Sequence, residues 1–213
     1  MCGIAGIASF TKSAKDFQQH LRSASSCLRQ RGPDNEGFFI DDNVALAHRR
    51  LSIIDTSAAA SQPFSDASGR YTIIYNGEFF NYRHHRSQLE SQGVSFVSES
   101  DTEVLLQLYI RKGINCLQCI NGFFAFCIYD NLEKTVFLAR DRMGVKPLIY
   151  YSDNDKFIFA SELKALMQFP IERNIDQQSL YHYFQFNYIP DPWTIYSNVN
   201  KLSPGNYLLI DLK

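Results

Sequence analysis

Met1-Cys2-Gly3-Ile4-Ala5-Gly6-Ile7 opens the chain, and the apolar run continues through Ala8 to Ser9. Cys2 to Ser9 reads as a buried strand. Removal of Met1 would leave Cys2 at the N-terminus, with a thiol and a free α-amine on one residue. The thiolate is the nucleophilic form of cysteine, and an amine of ordinary pKa, about 7.7–8.0, accepts a proton near neutral pH. Nucleophile and base are then carried together. A small apolar cysteine also suits plain packing in such a strand, so the rest of the chain has to decide between the two.

Outward from this strand, Phe17, Leu21, Ala24 and Leu28 share one helical face within 14–31, and Gly32-Pro33 stops that helix. Strands are expected near 37–40 and 44–50. Arg70 to Tyr75 alternates as a strand, with Asn76-Gly77 as a tight turn behind it. A polar helix over 82–92 comes next. Ser100-Asp101-Thr102-Glu103 has capping-box spacing ahead of an amphipathic helix ending near Gly113. Strands then dominate, at 123–129, 135–139, 148–151 and 157–160, with Asp130-Asn131 and Asp153-Asn154 as turns. Helices at 162–167 and 177–186 and a strand at 207–210 complete the chain. Strands in two groups with helices between them predict an α+β sandwich rather than an alternating parallel fold.

The 213 residues are 45% apolar and 20% charged, with a formal net charge of −1. That composition gives a globular protein with a real core, and it argues against nucleic-acid or acidic-membrane partners. The apolar start has no basic leader and is broken by Gly3, Gly6 and Ser9, and no later run reaches membrane-spanning length. A cytoplasmic location is expected. Five cysteines without an export signal are expected to be reduced. Cys116-x-x-Cys119 has no second Cys or His pair to complete a zinc site. Cys116, Cys119 and Cys127 therefore read as core residues, and no metal ligand is assigned.

Taken together, several blocks resemble a known family: Met1-Cys2-Gly3-Ile4-Ala5-Gly6, Arg31-Gly32-Pro33-Asp34, His48-Arg49-Arg50-Leu51-Ser52-Ile53-Ile54-Asp55, Tyr75-Asn76-Gly77-Glu78 and Ser100-Asp101-Thr102-Glu103-Val104. Asn121-Gly122-Phe123-Phe124, Ala139-Arg140-Asp141-Arg142, Gly144-Val145-Lys146-Pro147-Leu148 and Phe159-Ala160-Ser161-Glu162 continue the series. In this order and over nearly the whole chain they resemble the glutamine-hydrolysing domain of asparagine synthetases. Those domains are class II glutamine amidotransferases of the N-terminal-nucleophile group. The resemblance implies a four-layer αββα sandwich of two stacked, mostly antiparallel sheets flanked by helices. It also implies a glutaminase domain over residues 2–188 and a segment, 189–213, leading toward a synthetase domain outside this chain.

Glutamine is a zwitterion bearing an amide, so its site must hold a carboxylate, an ammonium and a developing oxyanion. The resemblance gives Cys2 the nucleophilic role, and the Asn76 amide and Gly77 N–H the oxyanion hole. Arg50 takes the α-carboxylate through its planar fork of donors, and Glu78 and Asp101 take the α-ammonium. Leu51, Ser52, Ile53 and Ile54 supply backbone contacts. Arg49 falls on the opposite strand face, His48 is assigned a structural place, Arg31–Asp34 lies behind the site, and Arg140–Arg142 with Lys146-Pro147 forms a turn with ion pairs. Two substitutions depart mildly from the family pattern, Phe79-Phe80 for Ile-Tyr and Ala47 for Gly. The synthetase Ser-Gly-Gly-x-Asp-Ser loop has no counterpart, so ATP and Mg are expected only in the synthetase domain, with no cofactor for this one. L-glutamine and that domain are the expected partners, and a homodimer is compatible. A glutaminase serving another acceptor, or a glutamine-binding module without turnover, stands as the alternative.

Overall fold

A computed structural model describes residues 1–213. Its strands are β1 (Gly3–Ser9), β2 (Asn35–Ile40), β3 (Val44–Arg50), β4 (Phe64–Ser65), β5 (Tyr71–Phe79), β6 (Gly122–Asp130), β7 (Thr135–Arg140), β8 (Ile149–Ser152), β9 (Lys156–Ala160), β10 (Val199–Lys201) and β11 (Tyr207–Asp211). The helices are α1 (Gln18–Cys27), α2 (Tyr82–Ser91), α3 (Asp101–Lys112), α4 (Leu163–Leu166) and α5 (Gln177–Phe186). One sheet runs β10-β8-β9-β1-β3-β2 and the other β11-β7-β6-β5-β4. Every strand pairing is antiparallel.

Period-two alternation sorts the side chains into layers. On β1, Ile4 and Ala8 face the second sheet, where they meet Ile74, Ala125, Cys127, Tyr129 and Leu138. Ala5 and Ile7 face outward onto Leu21, Ala24 and Leu28 of the α1 segment and Ala165 and Leu166 of α4. The outer face of the second sheet, with Ile73, Tyr75, Phe126 and Phe137, packs on Val104, Leu105 and Leu108 of α3. The order is helix, sheet, sheet, helix, as the family resemblance implies. The same parity places Cys2 with Ile4, His48 and Arg50 with Leu46, and Asn76 with Ile74, all on the faces between the sheets. Arg49 points the other way, to Glu36 and Ser25.

Four local expectations are corrected. Asn76-Gly77 is not a turn: β5 runs on to Phe79, with Asn76 opposite Ala125 and Gly77 opposite Phe124. Pairing with the long strand β6 overrides the turn preference of that dipeptide. The first helix is shorter than 14–31: a 3₁₀ turn over Ala14–Phe17 leads into α1, which ends at Cys27. Gly32 is required not as a helix cap but by crowding, since a Cβ there would lie 2.3 Å from the Arg49 carbonyl. At α3, Ser100 Oγ accepts from Glu103 N as a cap should. The Glu103 carboxylate, however, takes the N–H groups of Val97 and Ser98 in place of Ser100. Segment 189–213 supplies an edge strand to each sheet, β10 on β8 and β11 on β7.

Cys116 and Cys127 are buried among apolar side chains, and burial pushes the Cys116 thiol up to about 12. No helix is long and apolar enough to cross a membrane.

Candidate active site

Where β1, β3, β5 and the start of α3 converge, a cleft of about 580 Å³, its open mouth included, is lined by Cys2, Arg50, Asn76, Gly77, Glu78 and Asp101, among others. Cys2 is seated on the chain leaving β3. Its Sγ lies 3.4 Å from Leu51 N and 3.7 Å from Leu51 O. Behind it, Arg31 Nε donates to the Cys2 carbonyl at 2.9 Å while Arg31 pairs with Glu162, and Ile4 N donates to Ser161 Oγ. Burial pushes the Cys2 thiol up, and the Leu51 N–H, the N-terminal charge and Arg50 pull it back.

The exposed edge of β5 is the central feature. Alternation turns the N–H groups of Tyr75, Gly77 and Phe79 away from β6, and β4 covers that edge only at Thr72 and Ile73. Tyr75 N donates to Gln62 Oε1 at 2.6 Å and Phe79 N to Asp101 Oδ2 at 3.0 Å. Gly77 N–H, between two side-chain-capped neighbours, faces the cleft. Glycine is obligatory here, because a Cβ would lie 2.6 Å from both Phe123 O and the Tyr75 ring. Beside it, Asn76 Nδ2 is buried without a hydrogen-bond partner. A buried amide donor left unsatisfied costs about 1–3 kcal/mol, and this one lines the cleft, where a ligand can satisfy it.

Arg50 is 7% exposed and donates to the carbonyls of Ser57 and Asp55, which pins the loop after β3. The Asp55 carboxylate takes the N–H groups of Ser57 and Glu99 and thereby fixes that loop from both sides. Its pKa is lowered, by Ser57 first and despite slight desolvation. Leu51, Ile53 and Ile54 line the cleft, the isoleucines at its rim; Ser52 does not, its N–H being committed to Asp34 Oδ2 at 2.8 Å. Glu78 is exposed and makes no ion pair.

Sequence reasoning missed Gln62, Tyr75, Asp55 and Lys146 as cleft residues. The expected turn with ion pairs holds for Arg140, which pairs with Asp191 beside the Asp141–Gly144 turn, but not for Lys146, which is 6% exposed and makes no ion pair; its ammonium hydrogen-bonds only toward Met1 Sδ, at 3.3 Å. Tyr75, Asp55 and Lys146 stand inside the quoted blocks, which were the available signal. Gln62 carried none.

Two buried groups oppose each other in acid. Burial raises Asp101 to about 6, against the Phe79 N–H and Tyr75, so its folded form holds a proton more tightly than the unfolded chain does. Its contribution makes the fold more stable as pH falls from about 6 to about 4. His48, whose Nε2 contacts the Tyr75 carbonyl at 3.1 Å, is lowered to about 4 by burial, so the unfolded chain takes the proton first and stability falls over the same window. Each effect is roughly 3 kcal/mol, and they nearly cancel. Asp101→Asn removes one of them. It is expected to raise stability at pH 7 by about 1–3 kcal/mol and to make urea unfolding strongly pH-dependent between pH 6 and pH 4. A variant curve parallel to wild type would sink this account.

Three comparisons agree with the geometry. A family model described as a glutamine amidotransferase domain matches residues 1–213. The chain is 38% identical over 99% of its length to asparagine synthetase (glutamine-hydrolysing) 1 of Bacillus subtilis, covering 33% of that protein. It is 36% identical over its full length to a putative asparagine synthetase (glutamine-hydrolysing) 2 of Methanocaldococcus jannaschii, covering 44% of it. The chain thus spans a third to under half of the length of these relatives. Among solved structures, the glutamine phosphoribosylpyrophosphate amidotransferase of B. subtilis superposes with a TM-score of 0.65 at 25% identity, over 78% of this chain and 43% of that one. With a cysteine at position 2, an open amide edge and a family match from end to end, the chain belongs to the glutamine amidotransferase domain family and is homologous to part of the asparagine synthetases.

Proposed function

We propose that this chain hydrolyses L-glutamine to glutamate and ammonia, and that the ammonia serves an ATP-dependent synthetase domain converting aspartate to asparagine. One observation carries the reading: Cys2, the unpartnered Asn76 amide and the uncapped Gly77 N–H line the same cleft. After Met1 is removed, the Cys2 α-amine accepts the thiol proton and Sγ attacks the side-chain carbonyl carbon. The carbonyl electron pair moves onto oxygen, where Asn76 Nδ2 and Gly77 N donate to it. The amine returns its proton to the leaving nitrogen, ammonia departs, and a γ-glutamyl thioester remains. Water, deprotonated by the same amine, then releases glutamate and regenerates the thiol. Arg50 meets the α-carboxylate, and Asp101 with Glu78 meets the α-ammonium. The rim at Leu51, Ile53 and Ile54 bounds the side chain.

This half-reaction draws on thiol, amine and amide donors alone, so no metal or organic cofactor is assigned to the domain; ATP and magnesium belong to the synthetase part. The family match favours this reading over a different acceptor or a binding module. The test is glutamate release from L-glutamine by protein whose N-terminal mass shows Met1 absent. Turnover by processed protein and none by protein retaining Met1 is expected. A folded, processed chain with no turnover would overturn autonomous hydrolysis.

A further inference from the structure

Lys146 is the cationic cleft residue that the reaction above leaves unused. With Met1 in place Lys146 is 6% exposed, and lysines so buried are almost always paired. Lys146 has only a thioether sulfur, a weak acceptor, and that sulfur belongs to the residue that processing removes. Its backbone is fixed: Asp141, itself fully buried, accepts from the N–H groups of Phe124, Met143, Val145 and Lys146, so that carboxylate is engaged with backbone. The ammonium is thus held in place by an anchored loop and aimed at the N-terminus. Along the bonded path of Met1, its Nζ lies within roughly 10 Å of the Cys2 nitrogen.

We infer that Lys146 is a positioning residue that sets the protonation of the Cys2 thiol–amine pair: once Met1 leaves, its ammonium, within that reach of the new N-terminus, disfavours a second positive charge there. The inference rests on the glutaminase reading. A cation nearby stabilises both products of the first deprotonation, the neutral amine and the thiolate, and the two groups titrate as a coupled pair. The other charges facing the pair are already committed or lie on the substrate side. Arg50 on β3 serves the Asp55 and Ser57 carbonyls, Asp55 takes amides of its own loop and of Glu99, and Arg31 is matched by Glu162. Glu78 on β5 and Asp101 on α3 oppose Lys146, and the Tyr75 phenol, raised well above its usual range by burial, stays neutral. Without Lys146 the carboxylates would dominate and hold the proton on the amine.

The experiment measures Cys2 alkylation by iodoacetamide against pH, followed by mass spectrometry of the N-terminal peptide, alongside the pH profile of kcat/KM. It compares wild type, Lys146→Met, Lys146→Gln and Lys146→Arg, with circular dichroism confirming the fold of each. Lys146→Met and Lys146→Gln are expected to move the alkylation midpoint and the acidic limb of kcat/KM up by about one pH unit. Near pH 7 both rates should then fall about tenfold, with recovery toward pH 9, and Lys146→Arg should restore the wild-type midpoint. Unchanged midpoints in the neutral variants overturn the inference. So does a rise in KM with an unmoved limb, which would make Lys146 a ligand of the substrate carboxylate. Alkylation needs no turnover, so an absence of glutamate release from wild type defeats the glutaminase reading separately.

Discussion

Replacement of Cys2 by alanine is expected to abolish glutamate release while leaving glutamine binding intact. Removing the attacking atom of an acyl-transfer site lowers kcat on the order of 10⁶-fold, so turnover should fall to the uncatalysed background. The substrate contacts proposed for Arg50, Glu78 and Asp101 do not involve the thiol. Cys2 lies outside the buried apolar clusters: its Sγ hydrogen-bonds to the Leu51 backbone, and Arg31 holds its carbonyl, which alanine keeps. Calorimetric titration with L-glutamine should therefore give a Kd within a few-fold of wild type, and the melting temperature should barely move. Residual Cys2-independent turnover would transfer the nucleophilic role elsewhere and undo the mechanism.

Asn76→Ala is expected to lower kcat by about 10²–10³, or roughly 2.7–4 kcal/mol of transition-state stabilisation. KM should change little, because the oxyanion forms only during reaction. The melting temperature gives the second half of this prediction. Asn76 is 1% exposed with its Nδ2 unpartnered, so in the free protein its amide is a burden. Alanine removes that burden and leaves a small void, and the two nearly offset. A variant crippled in kcat yet equally stable is the signature of a group kept for the transition state. Loss of stability in proportion to activity would instead mean that the amide supports the strand.

The residues that sequence reading located and those it missed differ in how the chain brings them to the site. His48 and Arg50 end a continuous apolar run legible as a strand, and Cys2 immediately precedes another, so once the strands are placed their shared face follows from counting by two. Asp101 is announced by the helix start around Ser100. Asn76-Gly77 was identified as site residues through the family pattern, but their local structure was misjudged. The dipeptide carries a hairpin signal, and only the pairing of Tyr71–Phe79 along Gly122–Asp130 shows that the strand continues. Gln62 and Lys146 arrive from irregular segments with no periodicity. Gln62 reaches Tyr75 N across the end of the short strand β4, and Lys146 reaches Met1 from 145 positions away. Such contacts are properties of the assembled sandwich, and no local window contains them.

The central place of β1 in its sheet bears on the order of events in a cell. β1 pairs with β3 on one side and with β9 on the other, and Ile4 is clasped by Ser161 through both its N–H and its carbonyl. Cys2 has its near seat on Leu51, 49 positions away, but the far flank of its strand, β9 with Ser161, follows only some 155 residues later. Contacts so distant in sequence slow folding, and a nascent chain leaves β1 without its second flanking strand until most of the domain has emerged. Competence is coupled to completion: a truncated product ending before Lys156 would carry the nucleophile on a strand held by β3 alone, at the open edge of its sheet.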